Sequence, residues 1–155
     1  MGGTETMTLH RLLMKLLNRS APRQLQNERI SGSEVREILE ASDCWTKSSV
    51  FRQADGSYKL VNRPSLEYFL ASSKISEYLY TKESFDCDDF AFALMGDITK
   101  WDADLAFGII WVITATGNGH ALNWFIDGEK KLWLVEPQND KIFEPVGYRI
   151  SWAVC

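Results

Sequence analysis

From Asp88 to Ile98 the chain leaves a helix almost no polar face: Phe90, Ala91, Phe92, Ala93, Leu94 and Met95 follow one another without a charge. A helix that is apolar all round has to be buried. The segment therefore predicts a central helix, Asp88 to Ile98, with the rest of the fold laid around it. The covering layer comes next in the chain. Gly108 to Thr114 is rich in β-branched and aromatic residues, as strands are. His120–Ile126 and Leu132–Glu136 continue the pattern, with Asp127-Gly128-Glu129-Lys130 as a hairpin loop between them. Shorter strands fit Lys141–Phe143 and Tyr148–Val154. Helices first and a meander of strands afterwards predict an α+β fold with an antiparallel sheet.

Upstream, Leu9, Leu12, Leu13, Leu16 and Leu17 predict a helix over 7–18, ended by Ala21-Pro22. Val35, Ile38 and Leu39 predict a second short helix, with Ser31 or Ser33 as its N-cap and Glu34 in its first turn. Residues 1–40 thus form a helical extension packed on or beside a domain at 41–155, the whole making one compact unit. Ala54-Asp55-Gly56, between Val50-Phe51 and Tyr58–Val61, predicts a hairpin. Pro64 opens a helix running from Ser65 to about Leu79.

A chain of 155 residues can build one core without metal or disulfide staples. Its net charge of −4 argues against nucleic acid as the main partner. Residues 1–30 do carry five Arg/Lys against two Glu, for which a solvated helix face is the simplest explanation. The three cysteines, Cys44, Cys87 and Cys155, follow no disulfide or metal spacing. That favours a reducing, cytoplasmic setting, an infected host cell included. No signal peptide is expected, and the longest apolar run, Leu105 to Thr114, is about half a membrane span, so no membrane partner is expected.

The chemistry-bearing stretch is Phe85-Asp86-Cys87-Asp88-Asp89-Phe90-Ala91. It sets a thiol at a helix start, where unpaired N–H groups and the helix dipole favour the thiolate. A thiol nucleophile needs a base and a group that orients the base. His120 opens a strand after a glycine-rich turn, and Glu136 ends the return strand. Side chains alternate along strands, so the two share a face only if the loop between the paired strands holds an odd number of residues. Asp88 and Asp89 oppose thiolate formation. At about 6 Å and an effective dielectric of about 20, each costs on the order of 2–3 kcal/mol. A bound hard cation, Ca²⁺ or Mn²⁺, would remove that penalty, with further oxygens from Gln138, Asn139, Asp140 or Asp97.

Asp86-Cys87-Asp88-Asp89-Phe90-Ala91, Leu105-Ala106-Phe107-Gly108, Gly119-His120-Ala121-Leu122-Asn123 and Glu136-Pro137-Gln138, in this order, resemble the papain-like domain at the C-terminus of certain fungal agglutinins. They also resemble a group of small phage and bacterial proteins. The resemblance covers roughly residues 45–150 and implies a papain-like cysteine-peptidase fold activated by calcium or manganese. Carried over by motif, it implies Cys87 as nucleophile, His120 as base and Glu136 as orienting residue, with Asp88 and Asp89 as metal ligands; Gln138 is the further ligand expected from its side-chain oxygen. No lectin module precedes the domain here, so sugar binding does not transfer.

The function expected on these grounds is a metal-assisted cysteine peptidase or related amide hydrolase. Its partner would be a peptide or other amide-containing substrate, and the backbone N–H of Cys87 would serve the oxyanion. One alternative is an NlpC/P60-like cell-wall amidase, which also starts a helix with Asp-Cys. Another is a non-catalytic, metal-stabilised binding protein of the same fold.

Overall fold

The computed structural model describes residues 27–155. The leucine helix expected over 7–18 lies outside them. Strand β1 (Arg29–Ser31) leads directly into helix α1 (Gly32–Glu40). Ser31 Oγ accepts from the Glu34 N–H at 3.2 Å, and Glu34 Oε2 accepts from the Ser31 N–H at 3.0 Å. This reciprocal capping box fixes where the helix begins. Ile30, Val35 and Leu39 enter the core.

The hairpin expected around Gly56 does not form. Strands β2 (Val50–Arg52) and β3 (Ser57–Lys59) flank that turn but pair elsewhere: β3 lies antiparallel to β1, and β2 runs parallel to β8 (Arg149–Val154). Beside β8, Phe51 is buried and meets the fully buried Trp124 edge-on at 6.1 Å. Hydrophobic contact across the sheet outweighs the local turn signal.

Helix α2 (Arg63–Ser72) has Asn62 as N-cap, its Oδ1 accepting from the Ser65 N–H at 3.0 Å. It ends seven residues before the expected Leu79, and a 3₁₀ turn at Ile75–Glu77 follows. Ser72 Oγ donates to the Phe69 carbonyl and Ser73 Oγ accepts from the Ile75 N–H. Such local hydroxyl bonds compete with helix continuation.

Helix α3 (Cys87–Trp101) buries Phe90, Ala91, Leu94 and Ile98 on one face, while Phe92 remains 54% exposed. It is therefore buried on one side and not all round. It lies against a six-stranded sheet in the order β2-β8-β4-β5-β6-β7, with β4 at Phe107–Ile113, β5 at Gly119–Ile126, β6 at Leu132–Glu136 and β7 at Lys141–Phe143. All neighbours are antiparallel except β2 and β8, so the expected antiparallel sheet is corrected to a mixed one. Gly108 lets β4 approach closely: a Cβ there would fall 1.9 Å from the Val154 carbonyl oxygen and 2.7 Å from the Trp124 ring.

The papain-like peptidase fold is also corrected, to a mostly β architecture: eight strands stand against three α-helices among the described residues. Alternation splits the sheet's side chains into two cores. Leu122, Trp124 and Leu134 pack with Ile30, Val35, Leu39 and Phe51 on one face. Phe107, Phe125 and Val135 pack with Leu66, Phe90, Leu94 and Ile98 on the other. Among the described residues no helix is long and apolar enough to cross a membrane.

Candidate functional site

The β5–β6 connection decides how the site is assembled. Ile126 pairs with Leu132, which leaves five residues between them, an odd number. Asp127 shapes this loop. Its Oδ1 accepts from the N–H groups of Glu129 at 2.9 Å and Lys131 at 3.0 Å, and its Oδ2 accepts from Trp133 Nε1 at 2.6 Å. Lys130 takes up the left-handed conformation, φ 60°, needed to close the loop. The odd count puts His120 and Glu136 on one face, with His120 Nε2 2.7 Å from Glu136 Oε2. The other carboxylate oxygen, Oε1, accepts from the Gln138 N–H at 3.2 Å. Both side chains are partly accessible, 24% and 16%.

Cys87 is the first residue of α3 and is half-buried. It packs against Ala91, Ile109 and Ala121 on the α3 side of the sheet, whereas His120 alternates to the face of Leu122 and Trp124. No hydrogen bond joins the Cys87 thiol to the His120 ring among the described residues. The other two thiols are closed off. Burial pushes Cys155 up to about 11, and burial also raises Cys44, whose thiol donates to the Pro145 carbonyl.

Beside Cys87 the chain gathers acid. Ligand atoms of Asp86, Cys87 and Asp88 all lie within 4.8 Å of one another. The Asp86 and Asp88 carboxyls share a hydrogen bond that holds Asp86 below the usual carboxylate range and raises Asp88 above it. Two facing carboxyls can share a proton or a cation. The oxygen donors suit Ca²⁺ or Mn²⁺, so the residues present fit the cation expected from the sequence. Of the expected ligands only Asp88 stands in this cluster. Asp89 Oδ2 accepts from the Asp86 N–H at 3.1 Å, and Gln138 lies with Glu136.

Two neighbours had no role in the sequence reading. Asp86 joins the cluster itself; the Asp-x-Asp spacing at a helix start was the signal available for it. Tyr80 is half-exposed on the preceding loop, and its hydroxyl is pushed up by desolvation and by the charges of Asp86, Cys87 and Glu83. Nothing in the local pattern around Tyr80 marks it.

The model of the ricin-type beta-trefoil lectin C-terminal domain matches residues 30–155. No curated protein matches the chain. Among solved structures, one described as the PSL1a–E64 complex is 25% identical with a TM-score of 0.76, covering 84% of this chain and 52% of that one. The Polyporus squamosus lectin, bound to the human-type influenza-binding epitope Neu5Aca2-6Galb1-4GlcNAc, is 23% identical with a TM-score of 0.71, covering 84% and 50%. This chain therefore spans about half the length of the structures it matches.

These matches uphold the resemblance to a fungal agglutinin-type domain and remove its papain-like part. They overturn the expected cysteine peptidase or amidase, the assignment as an enzyme, and the peptide or amide substrate as partner.

Proposed function

Because the chain belongs to the ricin-type beta-trefoil lectin C-terminal domain family, we propose that it is a non-catalytic binding module. Its ligand site is the cleft at the start of α3, and its ligand class is a hydroxyl-rich molecule, a glycan segment. The observation that carries this reading is a set of accessible hydrogen-bonding groups, an acidic cluster at the start of α3 and an ordered pair at the ends of β5 and β6. The His120–Glu136 pair is fixed at 2.7 Å, and the Asp86–Asp88 carboxyls stand with Cys87 within 4.8 Å. Tyr80 adds a half-exposed ring. Binding sites combine an apolar wall with a few convergent polar groups. Carboxylates accept from sugar hydroxyls, and aromatic rings cover the apolar face of a sugar.

A divalent cation, Ca²⁺ or Mn²⁺, between Asp86 and Asp88 belongs to the same proposal. It would neutralise two facing carboxyls at the helix start and offer coordination to ligand hydroxyls. Cys87 would then be a packing and lining group. The description of one relative in complex with E64 makes that thiol-reactive epoxide a useful probe of the same cleft here.

The test pairs occupancy with turnover. Mass spectrometry after native-state labelling with E64 or iodoacetamide is expected to find one adduct, on Cys87, with Cys44 and Cys155 unmodified. Preincubation with a bound glycan is expected to slow that labelling. Hydrolysis of casein or a fluorogenic peptide mixture that disappears in Cys87→Ala would overturn the non-catalytic reading.

A further inference from the structure

The outer flank of α3 and the sheet face beside it are uncovered among the described residues. Phe92 is 54% exposed, Trp152 39% and Val50 38%, in a domain that buries Trp124, Phe125 and Phe90. Trp152 pairs across from Trp111 on one side and from Val50 on the other, so these three side chains project the same way. The two indoles pack on each other at 4.6 Å, and Phe92 meets Trp111 edge-on at 5.9 Å. Together they make a packed apolar shoulder with Val50 at its β2 end. One turn beyond Phe92, Gly96 is exposed and has open space where a Cβ would stand. That leaves the flank of α3 low beside the shoulder, with room for a neighbouring segment.

We propose that residues 7–18 of this same chain, as an amphipathic helix, cover the shoulder formed by Phe92, Trp152 and Val50. They lie outside the described residues, and four observations select them as the occupant. Leu9, Leu12, Leu13, Leu16 and Leu17 give the segment an apolar stripe at helical spacing. Its charge is of the opposite sign: Arg11, Lys15 and Arg19, with no acidic residue between Glu5 and Glu28, against Asp88, Asp89 and Asp97 on α3. The reach is sufficient. The Glu28 carbonyl accepts from the Leu60 N–H at 2.8 Å and the Lys59 N–H donates to the Asp104 carbonyl at 2.6 Å, so the described chain begins close to where α3 ends. From Trp101 back to Phe92 is about 14 Å along the helix, and residues 19–27 span up to about 30 Å. The size also fits. The open area is on the order of 300 Å², well short of the roughly 800 Å² per partner that a stable interface between separate chains buries. A tethered segment needs less, because its linker holds it at an effective concentration in the millimolar range. This docking is independent of the ligand-binding reading above.

The test uses the full chain labelled with 5-fluorotryptophan and read by fluorine NMR, with Trp111→Phe and Trp152→Phe assigning the two resonances. The doubly substituted Leu12→Asp/Leu16→Asp protein is expected to move the Trp111 and Trp152 signals and to raise the solvent isotope shift of Trp152. The signal of buried Trp124 should stay in place, which also shows that the variant is folded. A reciprocal variant approaches from the other side. Phe92→Lys changes an exposed residue and is expected to speed tryptic cleavage at Arg11, Lys15 and Arg19 by about tenfold or more, since cleavage follows the population of the undocked form. Unmoved Trp111 and Trp152 signals in Leu12→Asp/Leu16→Asp would overturn the proposal. So would cleavage at Arg11, Lys15 and Arg19 as fast in wild type as in Phe92→Lys. Sedimentation velocity of wild type is expected to show a monomer. A concentration-dependent dimer abolished by Phe92→Lys would give the shoulder to a second copy of the chain and overturn the proposal as well.

Discussion

His120 Nε2 and Glu136 Oε2 lie 2.7 Å apart because the loop joining their strands holds five residues. Deleting Lys130 would make the count even and turn one strand over. Leu134 would then exchange faces with Val135, and both are fully buried in opposite cores. The deletion variant is predicted to be unfolded or grossly destabilised by calorimetry. A cooperative transition within a few degrees of wild type would contradict the parity argument.

Asn123 ties α3 to the sheet. Its side-chain amide donates to the Ala91 carbonyl at 3.0 Å and to the Gly108 carbonyl at 3.2 Å, and the residue is fully buried. Asn123→Leu would leave the Gly108 carbonyl without this donor, at a cost of about 1–3 kcal/mol. Urea unfolding should show that loss. Iodoacetamide should also label Cys87 faster in this variant than in wild type, since the helix start would be less firmly held. Unchanged labelling at reduced stability would limit Asn123 to a packing role.

The capping box of α1 carries a pH signature. Hydrogen bonds from Lys130 and Ser31 lower Glu34 from 4.5 to about 2. A carboxyl depressed in the folded state stabilises it above the unfolded value, and the contribution fades as pH falls from about 4.5 towards 2. Wild type should therefore melt higher than Glu34→Gln at pH 6, and the gap should close near pH 2. A gap that is constant with pH would show that the side chain acts through packing alone.

Cation binding is predicted to raise the melting temperature. A ligand that binds only the folded form stabilises in proportion to the logarithm of its excess over Kd, about 2.7 kcal/mol at a hundredfold excess. Calcium or manganese should shift wild type upwards, EDTA should reverse the shift, and Asp88→Asn should abolish it. Equal shifts in wild type and Asp88→Asn would place the ion elsewhere.

How legible these features were depended on how local their causes are. Strands β4 to β8 followed from runs of β-branched and aromatic residues, and the Ser31 and Pro64 helix starts from capping chemistry that acts within four residues. The partners of β2 and β3 were hidden, because Phe51 is placed by Trp124, more than seventy residues away. The exposure of Phe92 was hidden for a similar reason. An apolar helix face looks buried until one knows how far the sheet extends beneath it. At the site, counting set only a condition, an odd loop between the paired strands, and the five residues between Ile126 and Leu132 meet it. The missing step was chemical: a Cys, His and Glu in suggestive order do not establish a reaction, and the family to which they point is that of lectin C-terminal domains. Asp86 was quoted in the motif yet assigned no role, since its pairing with Asp88 depends on how the chain enters α3.

The most direct test of the binding-module reading is an NMR titration of ¹⁵N-labelled protein, in calcium, with Neu5Ac(α2-6)Gal(β1-4)GlcNAc. Saturable, reversible shifts centred on Asp86–Asp88, Ala121 and Glu136, with the sugar recovered intact, are the predicted result. Saturable shifts confined to residues away from the start of α3, or no shifts at millimolar sugar, would contradict it.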